Sequence, residues 1–161
     1  MTSLPPSAVA VYPFRRRAGR VELLQLRRVD GMAGSWHNVY GGVEPGETAV
    51  QAALRELGEE TGLVPLALQQ VEHLETFYFQ SSDRIVLMPV FLAEVDPEAE
   101  PRLNEEHDAL RWIPAEEAER WFTWRSQREA VRRGLEELDR QDPAAALLRV
   151  DLPAAQGGQG R

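Results

Sequence analysis

The sequence predicts an α/β domain, and three observations carry that reading. Strand-like runs at residues 8–14 and 21–28 precede one sharply delimited helix at 48–61. Two longer strand-like runs, 70–80 and 84–95, follow it with a turn between them. Helical signals then close the chain at 114–117 and 126–140.

In chain order, Ala8 to Phe14 is a strand whose Pro13 predicts an edge or a bulge. Arg15 to Arg20 is a basic turn, and Val21 to Arg28 a second strand with Leu23, Leu24 and Leu26 apolar. Val29 to Ser35 is a loop, and Trp36 to Tyr40 a short strand that delivers the chain to Gly41 and Gly42. Past the helix, Ser81, Ser82 and Asp83 form the turn between two antiparallel strands; Pro89 predicts an edge or bulge in the second. Glu106 to Ile113 is a further strand. Pro114 opens a helix with acidic residues at its positive end. Val131, Leu135 and Leu138 share a face of the last helix, and periodicity is lost from Asp142 on. The expected organisation is one domain over 1–141 and a mobile tail over 142–161.

The central helix is written locally. Pro45 and Gly46 signal a turn, Thr48 and Gln51 make a capping box, and Gly62 suits the left-handed residue past the helix end. Val50, Ala53, Leu54, Leu57 and Thr61 recur at helical spacing and form its core face. The opposite face carries Glu56, Glu59 and Glu60 at i, i+3 and i+4. Each like-charge pair costs roughly 0.2–0.5 kcal/mol, and Gly58 costs about 1 kcal/mol more than Ala. A solvated acidic face accounts for the glutamates alone. It does not account for them together with the glycine-rich lead-in. A hard divalent cation would reverse the repulsion, since Mg²⁺ takes oxygen ligands, typically a few carboxylates plus substrate phosphates.

Residues 41–63 resemble the Nudix box: Gly, five residues, Glu, seven residues, Arg-Glu, an apolar residue, any residue, Glu-Glu, any residue, Gly and an apolar residue. Gly41, Glu47, Arg55, Glu56, Leu57, Glu59, Glu60, Gly62 and Leu63 fill every fixed position. The resemblance implies a Nudix fold, a mixed β-sheet sandwiched between α-helices, and cleavage of a nucleoside diphosphate linked to another group. It implies Mg²⁺ or Mn²⁺ held by Glu56, Glu59 and Glu60 with the Gly41 carbonyl, and Arg55 orienting a box glutamate. Glu47 is a support, a water-bridged metal contact, or simply an early-helix charge at the positive end of the dipole.

Beyond the box, 23–63 and Glu106-His107-Asp108-Ala109-Leu110-Arg111-Trp112 resemble the bacterial dATP/dihydroneopterin-triphosphate pyrophosphohydrolase branch, as does Trp124 to Arg128. That likeness implies a further metal carboxylate at Glu106, with Glu105 its neighbouring rival, and a substrate-phosphate contact at Arg27 rather than Arg28. Trp36 and Tyr40 could stack on or border a base, with core packing the alternative role for at least one of them. The reaction implied yields a monophosphate and pyrophosphate from a nucleoside or pterin triphosphate. Two alternatives stay open. Tyr78, 15 positions after Leu63, nearly meets the pattern of dinucleoside polyphosphate hydrolases, and a Nudix-fold module could bind a nucleotide without cleaving it. The intact carboxylates favour an enzyme.

Composition excludes other classes. A net charge of −8 argues against a broad nucleic-acid-binding surface. With no Cys, thiolate catalysis and disulfides are absent, and His37, His73 and His107 lack metal-binding spacing. No apolar run reaches membrane-spanning length. Met1 to Ser7 lacks a signal-peptide core, so the cytoplasm is the expected location. The expected partner is a small phosphate-bearing ligand.

Overall fold

The computed structural model describes residues 3–29 and 34–153. Eight strands form one mixed sheet: β1 (Ala8–Arg17), β2 (Arg20–Arg28), β3 (Trp36–His37), β4 (Val39–Gly42), β5 (Pro65–Phe79), β6 (Arg84–Val95), β7 (His107–Pro114) and β8 (Arg149–Val150). The sheet runs β3-β2-β1-β6-β5-β8, with β4 also on β1 and β7 also on β2. β1 and β6 are parallel; the other pairs are antiparallel.

Alternation along the strands builds a core on each face. Val9, Val11, Leu24 and Leu26 pack with Ala52, Ala53 and Leu57 of helix α1 (Ala49–Thr61). Ala10, Tyr12, Phe14 and Leu23 pack on the other face with Phe122, Ala130 and Val131. The last two belong to α3 (Arg125–Leu138), which follows the short α2 (Ala118–Trp121). The expected sheet between helices is what forms. α3 approaches closely because Gly134 has no side chain: a Cβ there would stand 2.9 Å from Leu92 Cδ1. α1 begins and ends where its residues predict, with Thr48 and Gln51 closing the capping box and Gly62 left-handed at φ 67°.

Several expectations need correction. Pro13 is not at an edge. On one side of β1, β4 pairs with residues 8–11 and β2 with residues 14–17, so Pro13 lies where the partner changes and no ladder N–H is lost. Pro89 does mark a bulge, opposite the register shift between Val71 and Leu74. The basic turn is only two residues, Ala18 and Gly19, both at positive φ, which matches the twist of the flanking strands. The expected single strand 36–40 breaks at Asn38, where the chain leaves β2 for β1. The loop at Val29 to Ser35 lies mostly outside the described residues.

The segment from Asp142 is not simply a tail. Asp142 caps α4 (Pro143–Leu148), accepting from the Ala144 and Ala145 amides, and β8 pairs with Leu68 and Gln69 of β5. Residues 154–161, within the expected mobile tail, lie outside the described residues. Among the described residues no helix is long and apolar enough to cross a membrane.

Candidate functional site

Arg55 is the hub of the box. Its Nε and Nη2 donate to the two oxygens of Glu47 at 2.9 and 3.0 Å. Nη2 also donates to the Gly42 carbonyl at 2.8 Å, and Nη1 to Glu56 at 2.8 Å and Glu59 at 3.3 Å. The fork geometry fixes Glu56 from one side. Those hydrogen bonds hold Glu47 below the usual carboxylate range, which suits a support for the arginine. Arg55 thereby ties the lead-in loop, the end of β4 and the acidic face of α1 into one unit.

Glu56 and Glu60 sit deeper than a solvated face allows. Burial raises the Glu56 pKa, with Arg55 opposing and Glu59 and Glu106 adding to the rise. Glu60 is 2% exposed, and its Oε2 has no hydrogen-bond partner. Burial, then the charges of Glu56 and Glu106, push its pKa up to about 9; Arg28 and the Tyr40 amide oppose this. His107 Nε2 is 3.8 Å from Glu60 Oε2. Glu59 is more than half exposed. Gly41 is glycine for a reason visible here: a Cβ would lie 2.0 Å from the Glu56 carboxyl carbon.

Glu106 reaches this group from the entrance to β7. Its charge acts on both Glu56 and Glu60, and it pairs with Arg28 at 3.2 Å. Glu105 acts on neither. Arg28, not Arg27, faces the carboxylates. It follows Leu24 and Leu26 on the α1 face of β2 and lies 5.3 Å from the Tyr40 ring. Arg27 points the other way and pairs with Asp108 at 2.7 Å. Trp36 is likewise turned from the carboxylates: Arg111 stacks on it at 4.0 Å and on Trp121 at 4.4 Å. Tyr40 remains at the site.

A cavity of about 550 Å³ opens beside Tyr40, Gly41 and Gly42. Ala8, Ala10, Phe77, Val86, Met88 and Trp124 give it apolar walls; His37, Asn38, Glu75 and Gln127 are its buried polar groups. Gln127 donates to Asn38 Oδ1 at 3.0 Å, and Phe77 meets Trp124 edge-on at 5.8 Å. Sequence reasoning singled out the Trp124 stretch and Tyr78 but missed Arg28, Asn38, Glu75 and Phe77. Parity could have found two of them: Arg28 shares that of Leu24 and Leu26, and Glu75 shares that of Phe77.

The carboxylates fit a divalent cation. A buried unpartnered oxygen at Glu60, repelled by Glu56 and Glu106, is what a cation would relieve. Among the described residues no three or more His, Asp or Glu side chains are gathered closely enough to hold a metal ion by themselves. Mg²⁺ does not need such a cluster, since it keeps waters and takes substrate phosphates.

Comparison with known proteins agrees with this geometry. The mouse bis(5'-nucleosyl)-tetraphosphatase [asymmetrical] is 37% identical over 102 residues, spanning 61% of this chain and 67% of the relative. An octanoyltransferase of Myxococcus xanthus is 34% identical over 130 residues, 80% of this chain, and the chain spans only 36% of that protein's length. The structure of a C. elegans Ap4A hydrolase binary complex superposes with a TM-score of 0.70 at 26% identity, covering 81% of this chain and 96% of that one. These likenesses do not single out the triphosphate branch expected from residues 23–63, 106–112 and 124–128. Residues 4–134 match the NUDIX domain, and the chain belongs to that family.

Proposed function

We propose that this protein, a Nudix-type hydrolase of phosphoanhydride bonds, acts on dinucleoside polyphosphates. One nucleoside sits in the 550 Å³ cavity and the phosphate chain passes Gly41 and Gly42 to the carboxylates. One observation carries the reading: Tyr40, Gly41 and Gly42 line the cavity, and Gly41 also abuts Glu56. The likeness to a tetraphosphatase and an Ap4A hydrolase supports the choice of substrate class. So does Tyr78, which lines the cavity mouth and donates to Asp83 at 3.0 Å.

Glu56, Glu60 and Glu106, with the Gly41 carbonyl, would hold Mg²⁺ or Mn²⁺, which neutralises phosphate charge and lowers the pKa of bound water. Arg55 keeps Glu56 in place from the side away from the ligand. Arg28, beside Glu106 and Tyr40, supplies positive charge to the phosphate chain; this is the role that the sequence resemblance gave to Arg27. Glu59, loosely paired and exposed, is the box carboxylate with most freedom to take a proton from water. Trp36 acts through packing on Arg111 rather than on the base.

A second reading is cleavage of a nucleoside or pterin triphosphate to monophosphate and pyrophosphate. It is favoured by Glu106, whose charge acts on Glu60 and which matches the further carboxylate of that branch in sequence. The test is hydrolysis of diadenosine tetraphosphate, ATP, dATP and dihydroneopterin triphosphate with Mg²⁺, with products identified by chromatography. The expected result is preferential turnover of the dinucleotide, abolished by EDTA. Preferential release of pyrophosphate from a triphosphate would overturn the first reading in favour of the second. No turnover of any of the four would leave a nucleotide-binding module.

A further inference from the structure

Glu75 is the odd residue of the cavity. It stands on β5 at a core-facing position, 2% exposed, among Ala10, Phe77, Val86 and Met88. A carboxyl in such a place is costly unless it has a task or full satisfaction. The Tyr12 hydroxyl donates to its Oε1. The buried Ser126 hydroxyl lies beside it without a hydrogen-bond partner of its own. Burial raises the Glu75 pKa, with Tyr12 and Ser126 opposing. Tyr12 takes one lone pair of Oε1, and the carboxyl, which lines the cavity, keeps further acceptor lone pairs to offer there.

The other buried polar groups present the complementary sign. Asn38 Oδ1 accepts from Gln127, and the Gln127 oxygen accepts from the Trp124 amide. The amide oxygens are thus in use, while each side-chain NH₂ has made one bond, Asn38 to the Val39 carbonyl and Gln127 to Asn38. Each therefore retains a second N–H. Beside His37, whose Nε2 is engaged with Ser35 Oγ at 2.6 Å, the buried carboxyl and amide side chains of the cavity offer an acceptor at Glu75 and two donors at Asn38 and Gln127. A purine with an exocyclic amino group matches that set: the amino group donates, and ring nitrogens or a ring carbonyl accept.

We propose that Glu75 selects the base, its carboxyl accepting a hydrogen bond from the exocyclic amino group of a purine seated in the cavity. This rests on the reading that the cavity holds a nucleoside. Hypoxanthine has no amino group: where adenine and guanine carry theirs it presents a carbonyl oxygen or a C–H, and its N1–H donor is one ring position away from either. The selection is therefore of amino-bearing purines over their deaminated counterpart.

Binding tests this without turnover. Dissociation constants for AMP, GMP and IMP are measured by quenching of intrinsic Trp fluorescence, Trp124 being in the cavity wall, and by calorimetry. The better of AMP and GMP should bind about tenfold tighter than IMP, the scale of one hydrogen bond to a charged acceptor. Glu75→Met should weaken the amino purine and leave IMP unchanged. Glu75→Gln, the conservative variant, should bring the ratio toward one by offering an N–H to the carbonyl oxygen of IMP. Equal binding of all three by the natural protein overturns the proposal. So does an unchanged ratio in folded Glu75→Gln, which would mark the Tyr12–Glu75 bond as structural only. Loss of diadenosine tetraphosphate hydrolysis with the ratio intact refutes the proposed reaction alone. Hydrolysis without selectivity refutes this inference alone.

Discussion

Glu60 offers a test in which stability and pH are coupled with a definite sign. Its folded pKa of about 9 lies above the ordinary 4.5, mainly through burial and then through Glu56 and Glu106. Between those values the metal-free native protein holds a proton that the unfolded chain has released. Stability from this group is fully present below about 4.5 and is lost as pH rises through about 9. The slope is about 1.4 kcal/mol per pH unit. The useful window is pH 7 to 8.5. The lowered pKa values of His37 and His73 act with opposite sign and are complete below it. Over that window the loss is about 2 kcal/mol, tapering near the folded pKa. At about 2–4 °C per kcal/mol for a domain of this size, the melting temperature should fall by roughly 4–8 °C.

Glu60→Gln imitates the neutral acid. Thermal melts in EDTA should show it close to the natural protein only near pH 4.5, more stable by roughly 3 kcal/mol at pH 7, and by roughly 2 kcal/mol more at pH 8.5. An exposed i,i+4 repulsion would give only a few tenths of a kcal/mol; burial is what enlarges the effect. With Mg²⁺ the order should invert, because a cation favours the ionised carboxylate. The added stability should grow with pH in the natural protein and vanish in Glu60→Gln, along with turnover. Parallel melting curves for the two proteins in EDTA across the window would refute the assignment of this buried proton.

Other substitutions separate the parts of the site. Gly41→Ala should leave the melting temperature nearly unchanged, since the Glu56 carboxyl can swing aside, yet cut turnover by about 10²-fold through that displacement; calorimetry beside a phosphate-release assay checks both. Glu106→Gln should lower the rate by about 10²–10⁴-fold and Glu105→Gln should be silent; the reverse pattern would misplace the register at the start of β7. Arg28→Ala should raise KM for a polyphosphate substrate more than Arg27→Ala, because only Arg28 shares a face with the carboxylates. Ending the chain at Gln141 removes α4 and β8 and uncovers Leu68, which should lower stability by about 2 kcal/mol without changing kcat below the melting transition.

What was legible in the sequence was local. A capping box and a left-handed glycine act within a few residues of themselves, so α1 could be bounded at Thr48 and Gly62. Spacing on one helix fixed Glu56, Glu59 and Glu60 but not their depth, which is set by Leu57 seating the helix on β1 and β2. Arg27 was favoured over Arg28 by resemblance, where plain alternation with Leu24 and Leu26 places Arg28 toward α1. Glu75 was overlooked because its meaning lies in Tyr12 and Ser126, 63 and 51 residues away in the chain. A two-residue strand such as β8 has no periodicity to read; it exists because β5 has an open edge at Leu68 and Gln69.

The site itself is a consequence of one change of partner. The carboxylates stand on α1, against the face of the sheet built by Val9 and Val11. The cavity is walled by Ala8 and Ala10, on the opposite face. A continuous sheet would separate the two, as side chains alternate strictly across it. Along one side of β1, however, β4 pairs only as far as Val11 and β2 begins only at Phe14. Asn38, where the chain crosses from β2 to β1, lines the cavity, and Gly41 on β4 abuts Glu56. The interruption at Pro13 and Asn38 therefore divides the strands so that β4 has the apolar cavity on one side and the acidic helix on the other. A ligand with a base at one end and phosphates at the other can reach both only around the end of such a strand. The two glycines at that end keep the passage narrow enough for Arg55 to bond the Gly42 carbonyl while Glu56 fills the space where a Gly41 side chain would stand.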